Sequence, residues 1–327
     1  MAVISYIDAI TKALREEMER DEKVFVLGED VGKKGGVFKA TAGLYEQFGA
    51  ERVIDTPLAE SAIAGVGVGA AMYGMRPVAE IQFADFILPA VNQIISEAAK
   101  IRYRTNNDWQ CPLVVRAPYG GGVHGALYHS QSLESVFANQ PGLKIVMPST
   151  PYDLKGLLKA AIRDDDPVLF FEHKRAYRLI KGEVPDEDYV LPIGKAEVKR
   201  EGTDITVITY GLCVHFALQA AEKLREDGIE AHILDLRTVY PLDKEAIIEA
   251  AAKTGKVLLI TEDNKEGSII GEVAAIIAEN CLFDLDAPIM RLAGPDVPAM
   301  PYAPTMEKYF MVNPEKVEKA MRELAEF

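Results

Sequence analysis

Cysteine is scarce in this chain of 327 residues, which contains only Cys111, Cys213 and Cys281. An odd, scattered set excludes a disulfide framework and a cysteine-rich zinc site, and it predicts a reducing, cytoplasmic environment. No apolar run approaches the roughly 18 residues that a membrane-spanning helix needs. Charged residues also interrupt the first helical pattern, so we expect neither a membrane span nor a signal peptide.

Basic residues are also few relative to acidic ones. The chain has 36 Lys and Arg against 50 Asp and Glu, a formal net charge of −14. This balance disfavours nucleic acid as a ligand and favours partners with basic surfaces. Because 49% of the residues are hydrophobic, the chain can bury two domain cores.

Strand-like runs alternate with helical patterns along the whole sequence. This order predicts an α/β fold with two doubly wound domains and largely parallel sheets. A polar stretch rich in turn residues over 181–195 marks the boundary between them. We therefore predict a first domain over 1–185, a linker over 186–200 and a second domain over 201–327.

A carboxylate follows the predicted strand end at Asp55. Thr56 and Pro57 are typical of a helix start, with Thr56 as the N-cap and Glu60 near the first turn. Glu60 could simply complement the helix dipole. Alternatively, its small apolar neighbours could bury it, so that it keeps a proton and donates a hydrogen bond. The residues themselves leave both interpretations open.

Two further segments have competing interpretations. The run Gly65-Val66-Gly67-Val68-Gly69-Ala70 matches a loose dinucleotide fingerprint, but it lies inside a predicted helix, which favours close helix packing over a nicotinamide site. Gln82 and Phe86 follow a predicted strand end, where ligands bind in doubly wound sheets. They could offer a hydrogen bond and an aromatic face to a flat ring, or Phe86 could belong to the core.

Two of the five histidines lie in residues 120–131, here called the glycine–histidine loop. Its glycines permit unusual backbone turns, and imidazole titrates near neutral pH. His124 and His129 could therefore handle protons on a bound substrate, or they could be solvated residues of a flexible turn.

Five motifs in this order carry a family resemblance. They are Asp55-Thr56-Pro57-Leu58-Ala59-Glu60, Gln82-Phe83-Ala84-Asp85-Phe86, His124-Gly125-Ala126-Leu127-Tyr128-His129-Ser130-Gln131, the run from Asp235 to Asp243, and Gly294-Pro295-Asp296-Val297-Pro298. The chain resembles the beta subunit of the E1 component of 2-oxo acid dehydrogenase complexes, which are transketolase-like and depend on thiamine diphosphate. Tyr128 before His129, and the run Phe170-Phe171-Glu172-His173-Lys174, look most like the branched-chain branch.

The resemblance implies roles for individual residues. Glu60 matches the glutamate that hydrogen-bonds the aminopyrimidine ring of thiamine diphosphate, and Leu58, Gln82 and Phe86 match positions lining that ring. His129 matches a histidine used in substrate binding and acyl transfer to the lipoyl group. His124 and Tyr128 match or adjoin substrate-lining positions.

A missing motif implies a partner chain. Thiamine enzymes bind magnesium and diphosphate through Gly-Asp-Gly followed by asparagine, and this sequence contains no Gly-Asp-Gly. The resemblance therefore implies that an E1 alpha subunit holds magnesium and the phosphates, in an α2β2 heterotetramer. The lipoyl and subunit-binding domains of E2, a dihydrolipoyl acyltransferase, are the other expected partners.

The resemblance also suggests two peripheral sites. Asp284, Asp286 and the terminal carboxylate at Phe327 are candidates for contact with E2. Positions matching a structural potassium site are Leu113, Ala161, Asp164 and Asp166. Three alternatives to the branched-chain interpretation are pyruvate or acetoin as substrate, a non-catalytic scaffolding subunit, and a nicotinamide dehydrogenase.

Overall fold

The computed structural model describes residues 2–327. They form two units, the first comprising the chain up to Tyr119 together with Val136–Ile193, and the second comprising Gly120–Ser135 together with Gly194–Phe327. The glycine–histidine loop thus groups with the second unit, which the predicted ranges did not anticipate. Within the predicted linker, Glu197–Arg200 already form a strand.

The first unit contains a parallel sheet. Its strands and helices are β1 (Ala2–Ser5), α1 (Tyr6–Arg20), β2 (Val24–Gly28), α2 (Leu44–Phe48), β3 (Val53–Asp55), α3 (Glu60–Met72), β4 (Arg76–Glu80), α4 (Ile101–Arg104), β5 (Val114–Tyr119), α5 (Glu134–Ala138, which starts in the second unit), β6 (Lys144–Val146), α6 (Pro151–Arg163), β7 (Val168–His173), α7 (Ala176–Leu179) and β8 (Lys181–Val184). Six strands run parallel in the order β6-β7-β5-β4-β2-β3. Strands β1 and β8 form a separate antiparallel pair.

The second unit contains a smaller sheet. Its elements are β9 (Glu197–Arg200), β10 (Ile205–Thr209), α8 (Leu212–Glu226), β11 (Ala231–Asp235), β12 (Thr238–Tyr240), α9 (Lys244–Thr254), β13 (Val257–Asn264), α10 (Ile269–Cys281), β14 (Met290–Gly294), α11 (Pro304–Phe310) and α12 (Pro314–Ala325). The strand order is β14-β13-β10-β11-β9, with β9 antiparallel to β11. The other pairings are parallel.

Local sequence explains where some of the helices begin. Ser5 and Asp8 form a capping box at α1, and Thr150 accepts a hydrogen bond from the Asp153 N–H at α6. These caps satisfy backbone donors that a helix leaves unpaired. Strands β2, β5 and β7 are buried along their whole length, as expected for strands covered on both faces.

The helical segment between β4 and β5 is wound irregularly. It has a 3₁₀ segment at Ala84–Ala90, a π-helical turn at Asn92–Glu97 and then α4. Pro89 lies in the first segment and has no N–H to donate to a regular α-helical ladder.

Candidate active site

Glu60 stands at the first position of α3 and is half-buried. The predicted N-cap at Thr56 is wrong, because α3 begins four residues later and its N-cap is Ala59, which makes no side-chain cap bond. Instead, the Thr56 N–H donates to the Gly28 carbonyl and continues the pairing of β3 with β2. The Thr56 hydroxyl is buried and has no hydrogen-bond partner among residues 2–327. This leaves a polar atom for a ligand four residues before Glu60.

Glu29, which the sequence analysis did not single out, lies near Glu60 and Gln82. The Gln82 side chain and the Glu60 carboxylate are both close enough to influence the Glu29 carboxylate. Burial raises the pKa of Glu29, and the nearby carboxylates of Asp30 and Glu60 raise it further. Glu29 directly follows the buried strand β2. The criterion that drew attention to Gln82, a polar residue after a strand end, would therefore have found Glu29 as well.

Phe86 is held by other aromatic rings of the first unit. Its ring meets Phe83 edge to face, with centroids 6.0 Å apart, and Phe83 meets Phe38 in the same way at 5.4 Å. The Lys174 ammonium lies 5.8 Å from the Phe83 centroid. Phe86 is half-buried, so part of it remains accessible to a ligand. Leu58 is 70% exposed.

A buried ion network links three strands near this site. The Arg116 guanidinium on β5 donates to both oxygens of Glu172 on β7, each at 2.7 Å, and to Glu80 on β4 at 2.7 Å. The Tyr177 hydroxyl donates to the same Glu172 carboxylate at 2.8 Å. Burial raises the pKa of Glu80 and of Tyr177. The network fixes neighbouring strands just before Gln82 leaves the end of β4.

The second unit holds the glycine–histidine loop through its backbone. The Gly121 N–H donates to Glu262 Oε1 at 2.5 Å. The N–H groups of Gly122 and His124 donate to Glu307 Oε1 at 3.2 and 3.3 Å. The other oxygen of Glu307 lies 2.6 Å from His124 Nδ1. Two buried carboxylates far along the sequence therefore hold this loop.

The loop also folds closely on itself around His129. A Cβ at Gly125 would lie 2.7 Å from the His129 carbonyl oxygen and 2.8 Å from the His129 Cβ. Only glycine fits this approach without movement. Tyr128 is 64% exposed and His129 is half-buried. Thus His124, Tyr128 and His129 lie on one ordered loop of the second unit, whereas Glu60, Gln82 and Phe86 lie in the first.

The positions matching a potassium site are already engaged. The carbonyls of Leu113 and Ala161 accept N–H groups of Val168 and Asp164, and the Asp164 carbonyl accepts from the Arg76 guanidinium. The Asp166 carboxylate pairs with Arg102 at 2.5 Å. A carbonyl oxygen has a second lone pair, so each of these carbonyls can still accept another ligand. Across residues 2–327, no cluster of three or more His, Cys, Asp or Glu side chains could hold a metal ion.

The candidate E2 contacts lie at the surface of the second unit. Asp284 and Asp286 follow α10, and both are exposed. They adjoin Leu282 and Phe283, which are 60% and 98% exposed. Phe327 is 63% exposed. No helix in the described part of the chain is long and apolar enough to cross a membrane.

Family comparisons agree with the two-unit architecture. The transketolase pyrimidine-binding domain model matches residues 2–180, and the transketolase C-terminal domain model matches residues 194–317. The fold is similar to that of a solved structure described as a split gene transketolase, inactive beta4 tetramer. The match covers 99% of this chain and 98% of the solved chain, with a TM-score of 0.80 and 23% sequence identity. These matches place the chain in the transketolase-like class and confirm the predicted fold.

Full-length relatives narrow this class. The chain is 86% identical to the 2-oxoisovalerate dehydrogenase subunit beta of Bacillus subtilis, and the match covers the full length of both proteins. It is 48% identical, again with full coverage of both, to the pyruvate dehydrogenase E1 component subunit beta of the same organism. The chain belongs to the beta subunits of 2-oxo acid dehydrogenase E1 components. The family resemblance is therefore confirmed, and the pyrimidine-binding domain implies thiamine diphosphate as cofactor.

Proposed function

We propose that this chain is the beta subunit of a branched-chain 2-oxo acid dehydrogenase E1 component. It would take part in oxidative decarboxylation of branched-chain 2-oxo acids and in acyl transfer to lipoyl-E2. The identity of 86% to a 2-oxoisovalerate relative, against 48% to a pyruvate relative, supports this substrate class. The observation that carries the catalytic part is the grouping of Glu60 and Gln82 around the Glu29 carboxylate.

The residues of the first unit fit the pyrimidine half of thiamine diphosphate. Glu60 would hydrogen-bond the ring nitrogen of the aminopyrimidine, and Gln82, which lies near Glu29, would border the ring. Phe86 offers an aromatic surface and Leu58 an exposed apolar one. When bound, thiamine diphosphate supplies the electron sink for loss of carbon dioxide. The protein's part would be to orient the ring and to hydrogen-bond its nitrogen through Glu60.

The histidines of the second unit would serve the substrate and the acyl group. His129 is proposed to donate a hydrogen bond to the 2-oxo acid and to move a proton when the lipoyl ring opens. Tyr128 and His124, on the same loop, would line the path of the substrate.

We further propose that this chain works in an α2β2 heterotetramer in the cytoplasm. The alpha subunit would hold magnesium and the diphosphate, because this sequence lacks Gly-Asp-Gly. Asp284, Asp286 and Phe327 are exposed and would contact the basic subunit-binding domain of E2. A potassium ion near Leu113, Ala161, Asp164 and Asp166 remains a prediction.

The test is co-expression with the candidate alpha subunit, followed by assays of decarboxylation with and without thiamine diphosphate. We expect 3-methyl-2-oxobutanoate to be preferred over pyruvate. A tenfold preference for pyruvate, about 1.4 kcal/mol in transition-state terms, would overturn the substrate assignment.

The catalytic role is tested separately in the same assembly. We expect Glu60→Gln to lower the decarboxylation rate by about 100-fold or more, as loss of a proton-handling group does. The matched control is Glu51→Gln, which changes an exposed carboxylate in the turn before β3. Full activity in Glu60→Gln would instead support a scaffolding subunit.

A further inference from the structure

We propose that Glu307 is a positioning residue that fixes the orientation of the His124 imidazole. Glu307 is on α11, and only 4% of the residue is exposed. Its Oε2 lies 2.6 Å from His124 Nδ1. The His124 side chain itself is 60% exposed. A buried carboxylate thus holds one edge of an imidazole whose other edge faces outward.

The second oxygen of Glu307 fixes the backbone beneath the ring. Oε1 accepts the N–H groups of Gly122 and His124. His124 has φ of +56°, which is in the left-handed region. This conformation costs free energy for a residue with a side chain, so surrounding contacts must stabilise it. One carboxylate therefore sets both the backbone and the ring of His124.

This geometry determines which ring nitrogen is available. Because Nδ1 faces a carboxylate, Nδ1 carries a hydrogen and donates it, as in other histidines oriented by acids. In the neutral ring, Nε2 then presents a lone pair to the outside. The Nε2 atom of His124 is thereby oriented to accept a hydrogen bond or a proton.

Glu262 provides a matched comparison within the same loop. It is 7% exposed and accepts the Gly121 N–H at 2.5 Å. Both carboxylates, Glu262 and Glu307, contact this part of the loop. Only Glu307 contacts the imidazole in addition to the backbone. Loss of the Glu262 charge should therefore weaken the loop without altering the ring of His124.

The functional meaning of this inference rests on the proposed function, in which the loop faces the 2-oxo acid and the lipoyl group. Its test does not require activity. The co-expressed assembly is labelled with diethyl pyrocarbonate over a range of pH, and the adducts on His124 and His129 are quantified by mass spectrometry. The reagent reacts only with an unprotonated ring nitrogen, and His129 serves as a reference on the same loop.

In Glu307→Gln, the amide oxygen can still accept the two N–H groups, but the charge beside the ring is lost. We expect the rate of His124 labelling, compared with that of His129 at the same pH, to fall, because no carboxylate then keeps the hydrogen on Nδ1 and leaves Nε2 free to react. Glu262→Gln should leave the ratio of His124 to His129 labelling unchanged. An unchanged ratio in Glu307→Gln, or an equal change in both variants, would overturn the assignment.

Activity then separates the two proposals. We expect Glu307→Gln to lower acyl transfer to a lipoyl domain about tenfold, and Glu262→Gln to lower it less. An equal loss of rate in both variants would contradict a role for the ring. If the unmodified assembly shows no thiamine-dependent activity, the proposed function fails, while the labelling result still decides whether Glu307 orients His124.

Discussion

Glu134 should make the stability of this protein depend on pH in the alkaline direction. It lies at the start of α5, fully buried, and accepts a hydrogen bond from the Tyr210 hydroxyl at 2.8 Å. Burial and the neighbouring carboxylates of Asp263 and Glu262 raise its pKa from 4.5 to about 8. Because Asp263 is half-buried nearby and its pKa is raised as well, the retained proton belongs to the pair.

The raised pKa of Glu134 determines how the stability of the protein changes with pH. Below pH 4.5 the folded and unfolded chains both hold the proton, and the full stability is present. As pH rises towards 8, the unfolded chain has lost the proton while the folded chain retains it, so the free energy of unfolding falls. Each pH unit in this window costs about 1.4 kcal/mol, so the loss approaches about 5 kcal/mol as an upper limit.

Glu134→Gln should remove most of this dependence, because an amide keeps an acceptor for Tyr210 and does not ionise. We expect the urea midpoint of the parent assembly to fall more than that of the variant between pH 5.5 and 8.5. Glu245→Gln is the control, since that side chain is 87% exposed. Equal pH dependence in parent and Glu134→Gln would refute the reasoning.

Three other predictions concern the first unit and its turns. Arg116→Met leaves two buried carboxylates, Glu80 and Glu172, without their cation and should lower the free energy of unfolding by about 3–5 kcal/mol in denaturant titrations. A loss below about 1 kcal/mol would contradict a stabilising role for the network. Phe86→Ala should weaken thiamine diphosphate binding to the assembly, measured by calorimetry, by at least about 0.5–1.5 kcal/mol, and unchanged affinity would exclude ring contact. Gly142→Ala should prevent stable folding, since its Cβ would lie 1.9 Å from the Ala99 carbonyl oxygen at φ of +104°. The control Gly228→Ala, at φ of +80° in open space, should lower the free energy of unfolding by only about 1–2 kcal/mol. Equal losses of stability in thermal unfolding would argue against the clash.

The sequence predicts most of the architecture because local signals are strong. Ser5, Thr150 and Asp243 cap the helices that follow them, and alternation of buried strands with amphipathic helices gives the fold class. Thr56 shows the limit of such signals. It precedes a proline, which favours extended backbone, and pairing with Gly28 across the sheet prevails over its preference for a cap.

Long-range contacts account for what the sequence could not predict. Glu262 and Glu307 lie 141 and 185 residues from the glycines that they hold. No local pattern marks either acid as a partner of the glycine–histidine loop, so the loop was expected with the first domain rather than with the second unit. Glu29 differs from these two acids, because a local signal marks it. It directly follows the buried strand β2, as Gln82 follows a predicted strand end.

The attachment of the glycine–histidine loop through N–H groups also bears on how its specificity could be changed. Glu262 and Glu307 accept hydrogen bonds from backbone N–H groups of the loop. These bonds do not involve the exposed side chains of Val123, Leu127 and Tyr128. Under the proposed function, in which this loop lines the substrate, those three positions can be randomised to select for new 2-oxo acids while the backbone that carries the histidines stays in place. A proline at 121, 122 or 124 is excluded from such a library, because each of these N–H groups is already donated.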